Sequence, residues 1–300
     1  MKKTLTLLAL TISFSVNAQM VDNSHPSNNF AEPNSVAMGY GTTASGDYST
    51  AMGRYTTASG NVSIAMGYGT TASGDYSTAM GRYTTASGDY STAMGNGTEA
   101  SGSRSTAMGN GTIASGSRST AMGSGTIASA SRSTAMGTNT TASDYASLVI
   151  GQYNSSGSSV TNSATAYDTA NTAFVIGNGV DSSNKSDAFK VMFNGDTTVG
   201  GDITISSDAR LKSNIVSLGS TLSKLLLIDG KSYEKDGKQR IGVLAQEIEE
   251  VFPELVTEDG NEMLAVNYQG LVPVLINALK EQQSEIDELK EIVQKLVNRK

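Results

Sequence analysis

Small and apolar residues recur at a fixed spacing of 14 through the first half of the chain. The tripeptide Ala-Met-Gly begins eight times in register, at Ala37, Ala51, Ala65, Ala79, Ala93, Ala107, Ala121 and Ala135. A second small-residue turn follows seven residues later, as in Ala44-Ser45-Gly46. Degenerate copies come at 148–151 and, after a spacing of 26 residues, at 174–177. Because 14 residues hold two short strands and two tight turns but no helical hairpin, the pattern predicts a β-solenoid.

If one repeat forms one coil, equivalent residues stack about 4.8 Å apart and each column of the repeat forms a ladder. The methionines of Ala-Met-Gly, continued by Val149, are expected to pack as a core column, with an adhesive outer surface as the less favoured alternative. A second column alternates tyrosine with arginine in its first four coils: Tyr40, Arg54, Tyr68 and Arg82. This alternation predicts cation–π stacking on a solvated outer face.

A third column changes from aromatic to basic along the chain. It begins with Tyr48, Val62, Tyr76 and Tyr90 and ends with Arg104, Arg118 and Arg132. Like charges in successive coils repel each other, so these three arginines are either plain surface or a contact for an anionic ligand or partner. Two other solenoid functions fit less well. Paired threonines that could face ice are lost in later repeats, and aspartate columns are too sparse for calcium-binding repeats.

These repeats resemble the head of trimeric autotransporter adhesins of the YadA-like type. The resemblance covers residues 34–179 and rests on both the period and the turn residues. It implies a left-handed parallel β-roll, the association of three chains, and attachment to a host matrix, a cell surface or a glycan. A β-rich neck is expected after this head, over residues 180–206.

The first residues are typical of an export signal. Lys2 and Lys3 precede an apolar run, and small residues near Ala18 suit a signal peptidase. We therefore expect a signal peptide over residues 1–18 and a linker over residues 19–33. The apolar run is too short for a membrane span, and no later stretch reaches the roughly 20 apolar residues that a span needs. The protein is expected outside the cell or at its surface, where it could associate with an outer membrane.

Composition excludes several kinds of chemistry. The 300 residues include no cysteine and one histidine, His25, which removes disulfides, thiolate sites and histidine-rich metal sites. A net charge of −7 gives no basic footprint for nucleic acid. No metal or other cofactor is expected. A catalytic serine far from His25 would need another base.

Charged residues mark a second domain in the last third of the chain. Residues 207–300 hold 16 acidic and 12 basic residues, against 6 and 5 in residues 30–150. The patterns predict a hairpin at Asp236-Gly237, a short helix over 245–251 that ends before Pro253, and a strand over 263–268.

A long helix with a heptad pattern is predicted over residues 269–300. Its apolar core positions are Leu275, Leu279, Ile286, Leu289, Val293 and Leu296. Nearly three heptads are short for an independent coiled coil, so the helix is expected to associate within a body that is already trimeric.

Two motifs in this domain, at 207–215 and 242–255, resemble the C-terminal intramolecular chaperone of endosialidases and other phage tailspikes. The resemblance implies a trimerising domain that helps the upstream fibre to fold. It also implies that the domain cuts itself off through a serine–lysine dyad. By motif position the dyad is Ser207 and Lys212, and the cut bond joins Ser207 to Asp208.

The same resemblance spans residues 207–297. Gln246 and Glu247 are second-tier site candidates, which we interpret, together with Pro253 of the same motif, as structural residues that support the pocket or interface. The dyad is also chemically reasonable without the resemblance. A serine hydroxyl is a poor nucleophile until a base takes its proton, and a lysine can act as that base where a dry pocket keeps it neutral. A tight trimer interface could supply such a pocket. The spacing of five residues alone proves nothing.

The complete sequence predicts a mainly β protein: a trimeric left-handed parallel β-roll followed by a small α+β chaperone domain. Its expected function is a secreted or cell-surface homotrimeric fibre or adhesin whose C-terminal domain assists assembly and releases itself. Any enzymatic activity would be limited to that cut. One alternative is an uncut fibre with a permanent trimerisation foot. The other is a phage-derived tail fibre.

Overall fold

The computed structural model describes residues 29–30 and 34–299 of the protein. The predicted signal peptide and most of the predicted linker, including His25, lie outside the described residues. The chain divides into two compact units between Thr204 and Ile205. The first unit contains a parallel β-solenoid and the second is a small mixed domain with a long terminal helix, so the predicted mainly β fold is confirmed.

Each 14-residue coil contributes one long and one short strand. The long strands form a parallel ladder: β2 (Val36–Tyr40), β4 (Thr50–Arg54), β6 (Ile64–Tyr68), β8 (Thr78–Arg82), β10 (Thr92–Asn96), β12 (Thr106–Asn110), β14 (Thr120–Ser124), β16 (Thr134–Thr138) and β18 (Leu148–Gln152). The short strands form a second ladder: β1 (Asn29–Phe30), β3 (Thr43–Ala44), β5 (Thr57–Ala58), β7 (Thr71–Ala72), β9 (Thr85–Ala86), β11 (Glu99–Ala100), β13 (Ile113–Ala114), β15 (Ile127–Ala128) and β17 (Thr141–Ala142). Paired residues up to β18 are 14 apart in sequence, as Met94 and Met108 are.

Small side chains fill the interior of the solenoid. Two alanine columns, one in each ladder, are fully buried. Serine and threonine columns near the turns, represented by Ser63 and Thr56, are also buried. Small residues are needed because a 14-residue coil encloses little space between its two ladders. The interior therefore buries little apolar area per coil.

The methionine column lies outside this interior, so its prediction as the packed core of the chain is wrong. Successive side chains of a strand point to opposite faces. Ala51 of β4 is buried, and the next residue, Met52, is 36% exposed. The assignment of Val149 to the methionine column is also wrong, because Val149 pairs with Ala135 and continues the buried alanine column.

The methionines instead form a stripe along the outer face of the long-strand ladder. We call this set the methionine stripe: Met38, Met52, Met66, Met80, Met94, Met108, Met122 and Met136. All its members except Met52 are half-buried in the chain. The stripe is thus a continuous apolar surface that the solenoid itself does not cover.

The solenoid ends in an excursion that the repeat does not predict. After β18 the chain runs through residues 153–171 before β19 (Thr172–Asn178) rejoins the long ladder beside β18. The buried carboxylate of Asp144 accepts hydrogen bonds from the backbone N–H and hydroxyl of Thr161, at 2.6 and 2.7 Å. It also accepts the backbone N–H of Thr172 at 2.8 Å. These bonds fix the middle of the excursion and the start of β19 to the last regular coil.

Two further strands extend the long ladder in the antiparallel sense. They are β20 (Asp187–Met192) and β21 (Thr197–Val199). Both lie within the stretch for which a β-rich neck is predicted.

The second unit holds two small hairpins and three helices. Its elements are α1 (Leu222–Leu225), β22 (Lys231–Lys235), β23 (Lys238–Gly242), α2 (Ala245–Val251), β24 (Val256–Glu258), β25 (Leu264–Val266) and α3 (Leu271–Val297), with 3₁₀ turns at Ala209–Leu211, Pro253–Leu255 and Tyr268–Gly270. The first hairpin turns at Asp236 and Gly237, both with positive φ, as the sequence predicts.

Helix α3 is buried only near its beginning. Val274 packs with Ile248, Phe252 and Leu255 in the small core of this unit. The later heptad positions are exposed: Leu279, Ile286, Leu289, Val293 and Leu296. The predicted seam is therefore an uncovered apolar stripe on the helix, which we call the α3 seam.

Glu281 ties α3 to the segment before α1. Its carboxylate accepts hydrogen bonds from the Ser220 hydroxyl and the Thr221 backbone N–H, both at 2.6 Å, and from the Leu222 backbone N–H at 3.2 Å. The hydrogen bond from Ser220, followed by that from Thr221, holds the pKa of Glu281 below its usual range.

Candidate self-cleavage site and surface columns

Ser207 and Lys212 meet at the beginning of the second unit. The 3₁₀ turn Ala209–Leu211 folds the chain between them, and the Lys212 backbone N–H closes the turn on the Ala209 carbonyl. The Lys212 Nζ donates a hydrogen bond to the Ser207 Oγ at 2.6 Å. The structure therefore brings the two predicted dyad residues into direct contact.

Asp208 organises the turn that makes this contact. Its carboxylate accepts the Arg210 backbone N–H at 2.9 Å, as an N-cap residue does, and forms an ion pair with the Arg210 guanidinium at 2.6 Å. The side-chain bond to Arg210, and then the backbone bond, lowers the pKa of Asp208. The residue after the predicted cut is thus held as a carboxylate. The pairing of Asp208 with Arg210 is absent from the sequence prediction, although an Asp before a turn is a capping signal.

Both dyad side chains are exposed in the single chain. A lysine can take the proton of a serine hydroxyl only as the neutral amine. The two side chains are in contact, but no dry pocket surrounds them in the single chain. A covering surface would be needed to favour the neutral amine.

The three residues predicted to be structural lie in α2 and in the 3₁₀ turn that follows it. Glu247, in the first turn of α2, accepts the Asp229 backbone N–H at 3.1 Å and pairs with Lys231 at 3.1 Å. Gln246 is exposed and lines an open cavity beside Tyr233. Pro253 begins the 3₁₀ turn after α2.

Two surface columns of the solenoid carry its arginines. The predicted cation–π stacking is present in the first column, where the Arg54 guanidinium lies 5.5 Å from the ring centre of Tyr40 and 5.7 Å from that of Tyr68. The second column runs along the turn between a short strand and the next long strand, which we call the second corner. Arg104, Arg118 and Arg132 occupy equivalent, exposed positions there in three successive coils.

No described group of three or more His, Cys, Asp or Glu residues could hold a metal ion. No helix among the described residues has the length and apolar character of a membrane span.

Comparison with known proteins matches each unit to a family. The repeat model described as YadA head domain repeat, which spans two copies, matches seven times between residues 33 and 154: at 33–56, 58–84, 72–98, 86–112, 100–126, 114–140 and 128–154. The model described as chaperone of endosialidase matches residues 207–257, which include Ser207, Lys212, Gln246, Glu247 and Pro253.

Curated relatives are long tail fibre proteins Gp37 of bacteriophages. The chain is 33% identical to the protein of Escherichia phage AR1 over 92 residues, which is 27% of this chain and 8% of that protein. It is 33% identical to the protein of Enterobacteria phage M1 over 101 residues, which is 30% of this chain and 40% of that protein. It is 32% identical to the protein of Salmonella phage S16 over 108 residues, which is 32% of this chain and 14% of that protein. The chain thus covers less than half the length of these relatives. Its own make-up is a series of YadA head domain repeats followed by a chaperone-of-endosialidase domain.

Proposed function

We propose that the protein is an extracellular or surface-exposed homotrimeric fibre with an adhesive head. Its C-terminal domain aligns three chains, assists folding of the solenoid, and then releases itself by cutting the bond between Ser207 and Asp208. The observation that carries the proposal is the 2.6 Å hydrogen bond between Lys212 and Ser207 inside a chaperone-of-endosialidase domain. The fibre class is supported by relatives that are named long tail fibre proteins.

Two uncovered apolar surfaces support the trimer. The solenoid interior is mostly alanine, and the methionine stripe lies outside it. In the second unit the α3 seam leaves Leu279 67% and Leu289 61% exposed. Burying such side chains stabilises an assembly by about 1.5–3 kcal/mol each when burial is complete. Each surface is a stripe along one face, as expected where copies of the same element associate in parallel.

Assembly would then gate the cut. In the single chain both dyad side chains are exposed, so the dry pocket that a lysine base needs is missing around them. Association of three domains covers surface near the beginning of the unit and favours the neutral amine. The cut therefore follows trimerisation, and the fibre keeps its register after the chaperone has left. Assembly of the β-solenoid is slow and has to be guided only once. Because refolding without the chaperone would be slow, its release leaves the fibre kinetically stable.

The cut itself is a hydrolysis that consumes one water molecule. Neutral Lys212 takes the proton of the Ser207 hydroxyl, and the oxygen attacks a peptide carbonyl carbon. The proton passes to the amide nitrogen as the C–N bond breaks, and water then hydrolyses the ester.

The identity of the attacked carbonyl follows from ring size. Attack by Ser207 on its own carbonyl would close a strained four-membered ring. Attack on the Ser206 carbonyl would close a five-membered ring but would cut before Ser207. A cut after Ser207 is therefore best served by the Ser207 of a neighbouring chain, which again ties the cut to the assembled trimer.

The test is intact mass spectrometry of the purified chain and of three variants. Ser207→Ala and Lys212→Met should abolish a 93-residue fragment that begins at Asp208 in the unaltered protein. Ser206→Ala is the matched control, because it removes the adjacent hydroxyl and should leave the fragment in place. A fragment that begins at Ser207 would show that the cut bond joins Ser206 to Ser207. An uncut chain in every sample, still trimeric, would replace the proposal with a permanent trimerisation foot.

A further inference from the structure

The second corner of the solenoid holds large side chains in a backbone conformation that favours glycine. Arg104, Arg118 and Arg132 have φ values of 58°, 59° and 61°. Their backbone N–H groups donate to the preceding coil, for example from Arg118 to the Ser103 carbonyl at 2.8 Å. The left-handed conformation is therefore imposed by the ladder, and a residue with a Cβ is strained there.

The other corner of the same coils provides an internal comparison. It has the same left-handed geometry, and in these coils it is occupied by Gly97, Gly111 and Gly125. The chain thus relieves the strain with glycine at one corner and keeps arginine at the other. The earlier coils also keep a side chain at the second corner, with φ values of 57° at Tyr48 and Tyr76 and 55° at Val62. The strain therefore marks the whole corner as a row of retained side chains, and the change to arginine within that row is what sets these three coils apart.

The charges around the arginines change together with them. In three of the four earlier coils the residue before this position is an aspartate, as in Asp75-Tyr76 and Asp89-Tyr90, and in the other it is Asn61. Before all three arginines it is serine, and Glu99 is the only acidic residue between 90 and 143. In the part of the chain that the structure describes, these guanidinium groups form no ion pair. A locally positive strip therefore lies on a chain whose net charge is −7.

Aromatic rings support the strip at both ends. The Arg104 guanidinium lies 5.6 Å from the ring centre of Tyr90, which is itself stacked on Tyr76 at 4.9 Å. Arg132 lies 5.5 Å from the ring centre of Tyr145 and donates a hydrogen bond to its hydroxyl. These contacts restrict the end arginines before any ligand binds, which lowers the entropic cost of binding.

We propose that Arg104, Arg118 and Arg132 form a binding strip for an anionic polysaccharide that lies along the solenoid axis. The three positions span two coil spacings, or about 10 Å. Each guanidinium offers a planar pair of donors to a carboxylate or sulfate group, and such groups recur along an acidic sugar chain. This ligand class deepens the proposed function of an adhesive head and rests on it.

Charge density favours a polysaccharide over duplex DNA. DNA carries one charge per roughly 1.7 Å of helix axis and is bound by many positive groups. Three arginines on an acidic protein cannot match that density, and Asp89 and the other aspartates of the earlier coils would repel the flanking phosphates. A polymer with fewer charges per unit length can engage the strip alone.

The test measures binding of the trimeric protein to heparin, polygalacturonate, neutral dextran and a short DNA duplex. Heparin and polygalacturonate separate sulfate from carboxylate recognition. The strip variant is Arg104→Asn, Arg118→Asn and Arg132→Asn, because asparagine tolerates positive φ and keeps the fold. The charge-matched control is Arg54→Gln, Arg82→Gln and Lys185→Gln.

We expect binding to at least one acidic polysaccharide at about 0.15 M salt. The strip variant should lose about tenfold in affinity, as three exposed ion pairs would, while its thermal midpoint stays equal or rises. The control should bind like the unaltered protein. No binding to either acid, an equal loss in the control, or binding to DNA alone would overturn the inference. Trimer mass and release of the 93-residue fragment are measured on the same samples, so a trimer that cuts but does not bind refutes only the strip.

Discussion

Two glycines of one coil differ sharply in what a methyl group would meet. A Cβ on Gly95, which has φ +126°, would lie 2.0 Å from the Gly109 carbonyl oxygen and 2.9 Å from its carbon. A Cβ on Gly97, which has φ +62°, would meet nothing within 4 Å. The pair compares a crowded and an open position of positive φ through the same Gly→Ala change.

The two substitutions should differ by about 3 kcal/mol of unfolding free energy per chain. Gly95→Ala should cost about 2 kcal/mol through overpacking against a backbone that cannot move aside. Dihedral strain should cost about 2 kcal/mol more. Gly97→Ala adds only the left-handed strain of alanine, about 1 kcal/mol. Urea unfolding followed by circular dichroism, at equal protein concentrations, measures both. Equal losses in the two variants would refute the close stacking of the long-strand ladder.

Three further outcomes follow from other parts of the molecule. Ile286→Asp with Val293→Asp should convert the trimer to monomer by light scattering, since charges cannot be buried in the α3 seam without several kcal/mol of cost; a trimer that survives would contradict its role in assembly. Asp144→Asn should destabilise the solenoid by about 2 kcal/mol in urea, because an amide offers one acceptor oxygen to groups that now share two; an unchanged midpoint would contradict the anchoring of the excursion. The lowered pKa of Glu281 implies a stabilisation that is present above its ordinary value of 4.5 and is lost as pH falls below that value through the folded pKa. Glu281→Gln should therefore flatten the pH dependence of stability in that acidic range, and an unaltered slope would contradict the assignment.

The fold could be predicted from the sequence because one short period fixes strand length, turn spacing and register together. The hairpin at Asp236 and Gly237 was equally predictable, since its turn residues specify the geometry. The sequence did not predict that the methionine side chains point outward. Alternation allows either Ala or Met to face inward, and only the small volume inside a 14-residue coil decides for alanine.

The residues of the candidate site could be predicted from the sequence, but the contact between them could not. Motifs could indicate Ser207 and Lys212, yet a spacing of five residues does not bring two side chains together. The 3₁₀ turn does so, with the help of the Asp208 pairing with Arg210. The strained arginines of the second corner were visible as a column, but their positive φ depends on hydrogen bonds between coils. The anchoring role of Asp144 likewise depends on the excursion over residues 153–171, which lies outside the repeat.

The most direct measurement of the central claim combines separation by size with intact mass. The full chain is expressed, samples are taken over time, and the monomer and trimer fractions are weighed separately. The account predicts uncut monomer, followed by trimer from which the 93-residue fragment is released, and no release from Ser207→Ala trimer. A fragment that arises from monomer, or a trimer that stays uncut, would contradict a self-releasing chaperone controlled by assembly.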